Sequence, residues 1–65
     1  MKLKEAPVGT IIGPTSEWER FRMPGGNDPI PHRLEVVEHR GDSVICRPVG
    51  GGPEIPFYKE LECTR

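Results

Sequence analysis

The residues that decide the fold are His32-Arg-Leu-Glu-Val-Val-Glu-His-Arg-Gly-Asp-Ser-Val-Ile-Cys-Arg-Pro-Val49, which hold the densest apolar content of the chain. Two apolar runs rich in β-branched residues flank Gly41 and Asp42, and such side chains suit the pleated, half-buried surface of a sheet. Glycine adopts a positive φ without a Cβ clash, and Gly-Asp is an accepted two-residue hairpin loop. The stretch therefore predicts one long β-hairpin.

Two registers of this hairpin are compatible with the sequence. A two-residue loop pairs Arg40 with Ser43, and its apolar face then holds Leu34, Val36, Ile45 and Val49. A three-residue loop pairs Arg40 with Val44, and its apolar face holds Leu34, Val36, Val44 and Cys46. A slip of one residue exchanges the two faces of a strand completely. We favour the three-residue loop, because it leaves a more polar opposite face, formed by Arg33, Glu35, His39 and Arg47.

The remaining chain predicts several short elements separated by Gly and Pro turns. We expect a strand at 8–12, a second at 17–23, an edge strand at 55–57, a helical turn at 58–61 and a last strand at 62–65. The 17–23 segment also fits a helical turn, because Ser16 and Glu19 have capping-box spacing. About five short strands with one helical turn before the last predict an all-β fold, a small SH3-like antiparallel barrel.

The length of the chain limits the number of domains and the size of the hydrophobic core. Sixty-five residues predict a single domain over 1–65. A chain of this size buries only about 60% of its unfolded surface, and its core rarely supplies more than ~3–5 kcal/mol. We therefore expect either a stabilising staple, such as a disulfide or a metal, or an oligomer.

The composition argues against two classes of function. No apolar run approaches the ~18 residues of a membrane span, and no apolar segment follows the charged residues 1–5 as it would in a secretory signal. We therefore expect a cytoplasmic protein.

The net charge is −1, with 9 basic and 10 acidic residues, whereas nucleic-acid binders of this size usually carry a basic excess.

Part of the chain resembles a known group of proteins. The hairpin, the run Arg47-Pro-Val-Gly-Gly-Gly52, the apolar stretch that follows and Glu60-Leu-Glu62 are similar to small uncharacterised SH3-like proteins of actinobacteria and phages. The resemblance covers roughly residues 34–62 and implies a fold but no site. The chain also has a barrel-like ending similar to that of the small plasmid-borne dihydrofolate reductases, which are SH3-like tetramers. Their Val-Gln-Ile-Tyr active-site run is missing here, so that activity is not implied.

No motif for catalysis or for a cofactor stands out. The possible metal ligands His32, His39, Cys46 and Cys63 are separated by six, six and sixteen residues, whereas structural zinc sites usually bring ligands in close pairs. We predict no metal, no cofactor and no catalytic residue. Cys46 and Cys63 are expected to be free thiols, because cysteines of cytoplasmic proteins are usually reduced.

The apolar residues themselves point to a binding function. Trp18 and Phe21 are three apart, and Val37 and Tyr58 each follow another apolar residue, so an unbroken strand would place apolar atoms on both faces. Either β-bulges restore the alternation, or a second apolar surface exists. The leading hypothesis is a non-catalytic protein-binding module that docks a protein partner or itself through Trp18, Phe21, Val37 and Tyr58. The alternative is a nucleic-acid-binding barrel that uses an arginine-bearing sheet face with Arg20, Arg22, Arg33 and Arg47.

Overall fold

Five strands follow one another in the computed structural model, which describes residues 1–65. They are β1 (Ile11–Pro14), β2 (Leu34–Arg40), β3 (Ser43–Pro48), β4 (Ile55–Tyr58) and β5 (Cys63–Thr64), with short 3-10 helices at Leu3–Glu5 and Ser16–Trp18. All pairings are antiparallel, and the strand order in the single sheet is β4-β3-β2-β1-β5. The all-β prediction is confirmed. None of the helices is long and apolar enough to cross a membrane.

The central hairpin combines features of both predicted registers. Arg40 pairs with Ser43, so the loop has two residues and the preference for three was wrong. Gly41 takes a φ of 58° in this loop, a conformation that glycine adopts without strain. A β-bulge then shifts the register, because Val36 pairs with Cys46 whereas Glu38 pairs with Ile45.

The bulge decides which side chains enter the core. One extra residue on β2, Val37, reverses the alternation along that strand. The buried set is therefore the one expected from the longer loop: Leu34, Val36, Val44 and Cys46. Ile45 lies on the opposite face and is only 5% exposed, although it is not part of the main core cluster.

The long connection between β1 and β2 is not a strand, so the prediction for 17–23 was wrong. It contains the 3-10 helix Ser16–Trp18 and an isolated bridge between Arg22 and Pro29. The physical reason is that the segment covers the core. Trp18 is buried in the core cluster, and Phe21 and Met23 pack against the same cluster, whereas an unbroken strand would place Trp18 and Phe21 on opposite faces.

The other predicted elements are shifted or partly correct. β1 begins at Ile11 and continues through Gly13 and Pro14, where it pairs with β5. The segment 58–61 is a hydrogen-bonded turn with Leu61 N–H donating to Tyr58 O at 3.2 Å, and it is not helical. β4 is an edge strand of the sheet, as predicted from the proline within it.

One cluster of twelve buried residues forms the hydrophobic core. Its members are Leu3, Ala6, Ile12, Trp18, Ile30, Leu34, Val36, Val44, Cys46, Ile55, Phe57 and Cys63. Trp18 is 2% exposed. Its ring lies 4.6 Å from that of Phe57, centroid to centroid, and its Nε1–H donates to Glu62 O at 2.7 Å. The ring thus packs the long connection onto β4 and onto the residue before β5.

We predict that Trp18→Ala strongly destabilises the protein. Removing a buried tryptophan costs about 3–5 kcal/mol, which is comparable with the whole stability expected of so small a domain. Urea and thermal melts measure the change, and Tyr58→Ala is the matched control, because Tyr58 is an exposed aromatic residue. Melts of Trp18→Ala that coincide with those of the wild type would contradict the placement of this ring in the core.

We also predict that Gly13→Ala destabilises the β1–β5 pairing. A Cβ at Gly13 would lie 2.9 Å from the backbone oxygen of His32 and 3.0 Å from Thr64 Oγ1, so the backbone has to move. Such overpacking typically costs about 1–3 kcal/mol. Gly50→Ala is the control, since a Cβ there meets nothing within 4 Å. The two variants should therefore differ in a urea melt, and equal midpoints would contradict the close approach at Gly13.

Candidate partner-binding groove

An open groove of about 400 Å³ lies between the long connection, β4 and the turn before β5. We call it the apolar groove, and its lining residues are Arg20, Phe21, Arg22, Ile55, Pro56, Phe57, Tyr58 and Leu61. Most of these side chains are apolar, and two arginines stand beside them. Apolar lining with a few charged groups is the usual character of a ligand site on a protein.

The aromatic residues form a continuous path from the core to the groove. The rings of Phe21 and Trp18 meet edge to face with centroids 6.0 Å apart, and Phe21 and Phe57 lie 6.2 Å apart. Phe21 is half-buried and packs against the core cluster. Because Trp18 and Phe57 are fixed inside the core, they hold the wall of the groove in position.

Tyr58 is the most exposed aromatic residue of the groove. Its side chain is 58% exposed, whereas its neighbour Phe57 is 6% exposed. This difference follows from strand geometry, since successive side chains of β4 point to opposite faces and the burial of Ile55–Tyr58 alternates accordingly. An exposed tyrosine combines a large apolar ring with a polar hydroxyl, which suits it to protein contacts.

Contacts with the Phe21 ring and with backbone carbonyls hold the two arginines beside the groove. The guanidinium of Arg20 lies 5.3 Å from the centroid of the Phe21 ring, within the range of a cation–π contact. Nη1 of Arg22 donates to the backbone carbonyls of Glu19 and Phe21. Neither arginine forms an ion pair with an acidic side chain.

The structure brings together only part of the predicted patch. Phe21 and Tyr58 both line the apolar groove. Trp18 lies in the core, so its assignment to an exposed patch was wrong. Val37 is the half-buried extra residue of the β2 bulge and does not line the groove. The sequence predicted either bulges or a second apolar surface. At Val37 the structure has a bulge, and at β4 it has an apolar surface.

The four arginines of the nucleic-acid alternative do not share one sheet face. Arg20 and Arg22 lie in the long connection, and Arg33 lies just before β2, beside a separate surface depression with His32 and Arg65. Only Arg47 lies in a strand, and its Nη2 is 3.2 Å from Glu35 Oε1. The expectation of a single arginine-bearing sheet face is therefore corrected.

Sequence reasoning missed four lining residues, Ile55, Pro56, Phe57 and Leu61. Ile55 and Pro56 were recognised as part of an edge strand, and an edge strand with an exposed proline and tyrosine is a signal that could have found this surface. Leu61 carries no such signal in the sequence, because its place in the groove depends on the turn between β4 and β5.

The two cysteines are free and buried. Burial, with a smaller contribution from the nearby Cys63, raises the pKa of the Cys46 thiol to about 12. Burial also raises the pKa of the Cys63 thiol. Because the thiolate is the reactive form, both cysteines are poor nucleophiles near neutral pH. No three or more His, Cys, Asp or Glu side chains are grouped so that they could hold a metal ion.

We predict that both native thiols resist alkylation by iodoacetamide at pH 8. The thiolate of Cys46 forms only near pH 12 in the folded chain, whereas both thiols become accessible and ionise near their ordinary pKa once the chain unfolds. Intact-mass analysis with and without urea measures the labelling, and the unfolded chain is the control. Rapid labelling of either cysteine under native conditions would contradict the burial. Absence of labelling in urea without reductant would reveal a disulfide.

The raised pKa of Cys46 also sets the direction of a pH effect on stability. Between the ordinary thiol pKa near 9 and the folded value of about 12, the unfolded chain has lost a proton that the folded chain keeps. The contribution of this thiol to the free energy of unfolding is therefore fully present below pH 9, and it is lost as the pH rises towards 12.

The chain matches no protein-family model, and it shows no significant similarity to a curated protein or to a solved structure.

Proposed function

We propose that this chain is a small non-catalytic protein-binding module that docks a protein partner, or a second copy of itself, in the apolar groove. The observation that carries the proposal is the exposed Tyr58 beside the half-buried Phe21, on a surface with few other exposed large apolar residues. Aromatic side chains on a rigid support are frequent anchors of protein contacts.

The fold supports this proposal by analogy. We propose that the five-stranded sheet, which is open because β4 and β5 are unpaired edges, is an SH3-like barrel, since the last strand returns to pair with the first and β2 carries a bulge. SH3-like modules commonly bind proline-rich, extended segments in aromatic-lined grooves. Such an analogy concerns the fold and not the site, so the groove itself carries the argument. A cytoplasmic location stays a prediction from the sequence.

Nucleic-acid binding is the less favoured alternative. The apolar groove does place Arg20 and Arg22 beside Tyr58, and stacking aromatics with basic groups can hold single-stranded nucleic acid. However, two cations offer few phosphate contacts, and the whole chain has a net charge of −1. Phosphate contacts dominate the affinity of such proteins, so the charge distribution favours a protein partner.

We predict that Tyr58→Ala leaves the fold intact and weakens partner binding by ~2 kcal/mol or more, because an exposed anchor contributes to association and little to the core. Val49→Ala is the matched control, since Val49 is exposed and lies outside the groove. Proteins retained from host lysate by immobilised wild type are identified by mass spectrometry, and their retention by the two variants is compared. Sedimentation of each variant measures self-association in parallel.

The comparison between variants decides the outcome. A specific partner, or a dimer, that is lost with Tyr58→Ala and kept with Val49→Ala supports the proposal. Equal binding by both variants would place the contact elsewhere. Unfolding of Tyr58→Ala in a thermal melt would show that Tyr58 is a core residue and remove the main support for the groove.

A further inference from the structure

The apolar groove contains two cationic side chains that have no carboxylate partner, and two others, Arg33 and Arg65, line a separate surface depression. Five of the nine lysine and arginine side chains pair with carboxylates within 4 Å, and Arg20 and Arg22 are among the four that do not. Glu60, near Leu61 in the chain, binds Lys4 at 2.8 Å and Lys2 at 3.2 Å. Its negative charge is therefore taken up by lysines, and no carboxylate of the chain lies within 4 Å of either guanidinium of the groove.

Arg22 is oriented by the backbone in a way that leaves one edge of its guanidinium free. Both of its hydrogen bonds use Nη1, which donates to the carbonyls of Glu19 and Phe21. Nε and Nη2 have no partner in the chain. These two nitrogens form the planar fork that matches the two oxygens of a carboxylate. Because Nη1 is already fixed, little side-chain entropy is lost when the free edge binds.

Arg20 adds charge at the same place. Its guanidinium lies over the ring of Phe21, so the positive charge sits directly beside the aromatic wall. An apolar peptide with a neutral flank would leave both cations without a partner. A peptide with an acidic residue next to its apolar residues would complement both the apolar surface and the charge.

We propose that the occupant of the apolar groove is an extended segment of a protein partner in which an Asp or Glu side chain lies beside apolar residues and binds the free edge of Arg22. This inference rests on the proposed function, since it names the chemistry of the partner that docks there.

The test uses a phage-displayed library of random peptides selected on the immobilised full chain. Selected sequences are made as synthetic peptides amidated at the C-terminus, so that any carboxylate belongs to a side chain. Each peptide is paired with a counterpart in which Glu or Asp is replaced by Gln or Asn. Affinities are measured by fluorescence anisotropy at low and high salt for the wild type, Arg22→Gln, Arg22→Lys and Tyr58→Ala.

Arg33→Gln is the matched control, because Arg33 is also exposed and forms no ion pair but lies outside the groove. We expect acidic residues to be enriched, and the neutral counterpart to bind the wild type about ten-fold more weakly. That loss should vanish with Arg22→Gln, as a double-mutant cycle requires for a direct contact. It should shrink with Arg22→Lys, which keeps the charge without the planar fork, and it should persist with Arg33→Gln. Thermal melts verify that each variant is folded.

The possible results separate the inference from the proposed function. Selected peptides without acidic enrichment that still depend on Tyr58 would overturn the inference and leave the binding module standing. Failure to select any peptide that depends on Tyr58 would overturn both. Two other results would overturn the inference. Submicromolar, salt-dependent binding of a single-stranded oligonucleotide that is lost with Arg22→Gln would assign the groove to nucleic acid. A dimer that requires Arg22 and Tyr58 would assign the groove to a second copy of the chain.

Discussion

The packing of the Trp18 ring in the core is the interaction on which the rest of the structure depends. Its ring packs against Phe57 of β4, and its Nε1–H donates to Glu62 O at 2.7 Å, next to β5. One side chain thus joins the long segment between β1 and β2 to both edges of the sheet, β4 and β5. In a domain with so thin a core, a single buried indole supplies a large share of the apolar contact.

This constraint also creates the candidate site. With Trp18 fixed below it, Phe21 is held half-buried against the core, and the backbone carbonyls of Glu19 and Phe21 face the guanidinium of Arg22. The long connection therefore forms one wall of the groove, opposite β4, and a core residue anchors that wall. A surface that is prearranged in this way loses little entropy on binding.

The β2 bulge has the corresponding role for the sheet. By inserting Val37, it allows a tight two-residue loop at Gly41 and still directs Val44 and Cys46 into the core. Without the bulge, that loop would have placed Ile45 on the inner face in their stead. The bulge also explains why neighbouring valines in the sequence do not produce two equally exposed apolar faces.

The sequence by itself determined the all-β class, the central hairpin and the edge position of β4, because β-branched runs, Gly-Asp and Pro56 act through local backbone preferences. Only the tertiary structure decided the register of the hairpin, since a bulge is an extra residue whose position depends on packing across strands. It also decided that Trp18 is core whereas Tyr58 is surface. Residues 17–23 fit a strand or a helical turn in the sequence, but Trp18 and Phe21 both pack on the core, and this requirement is not visible in a local pattern.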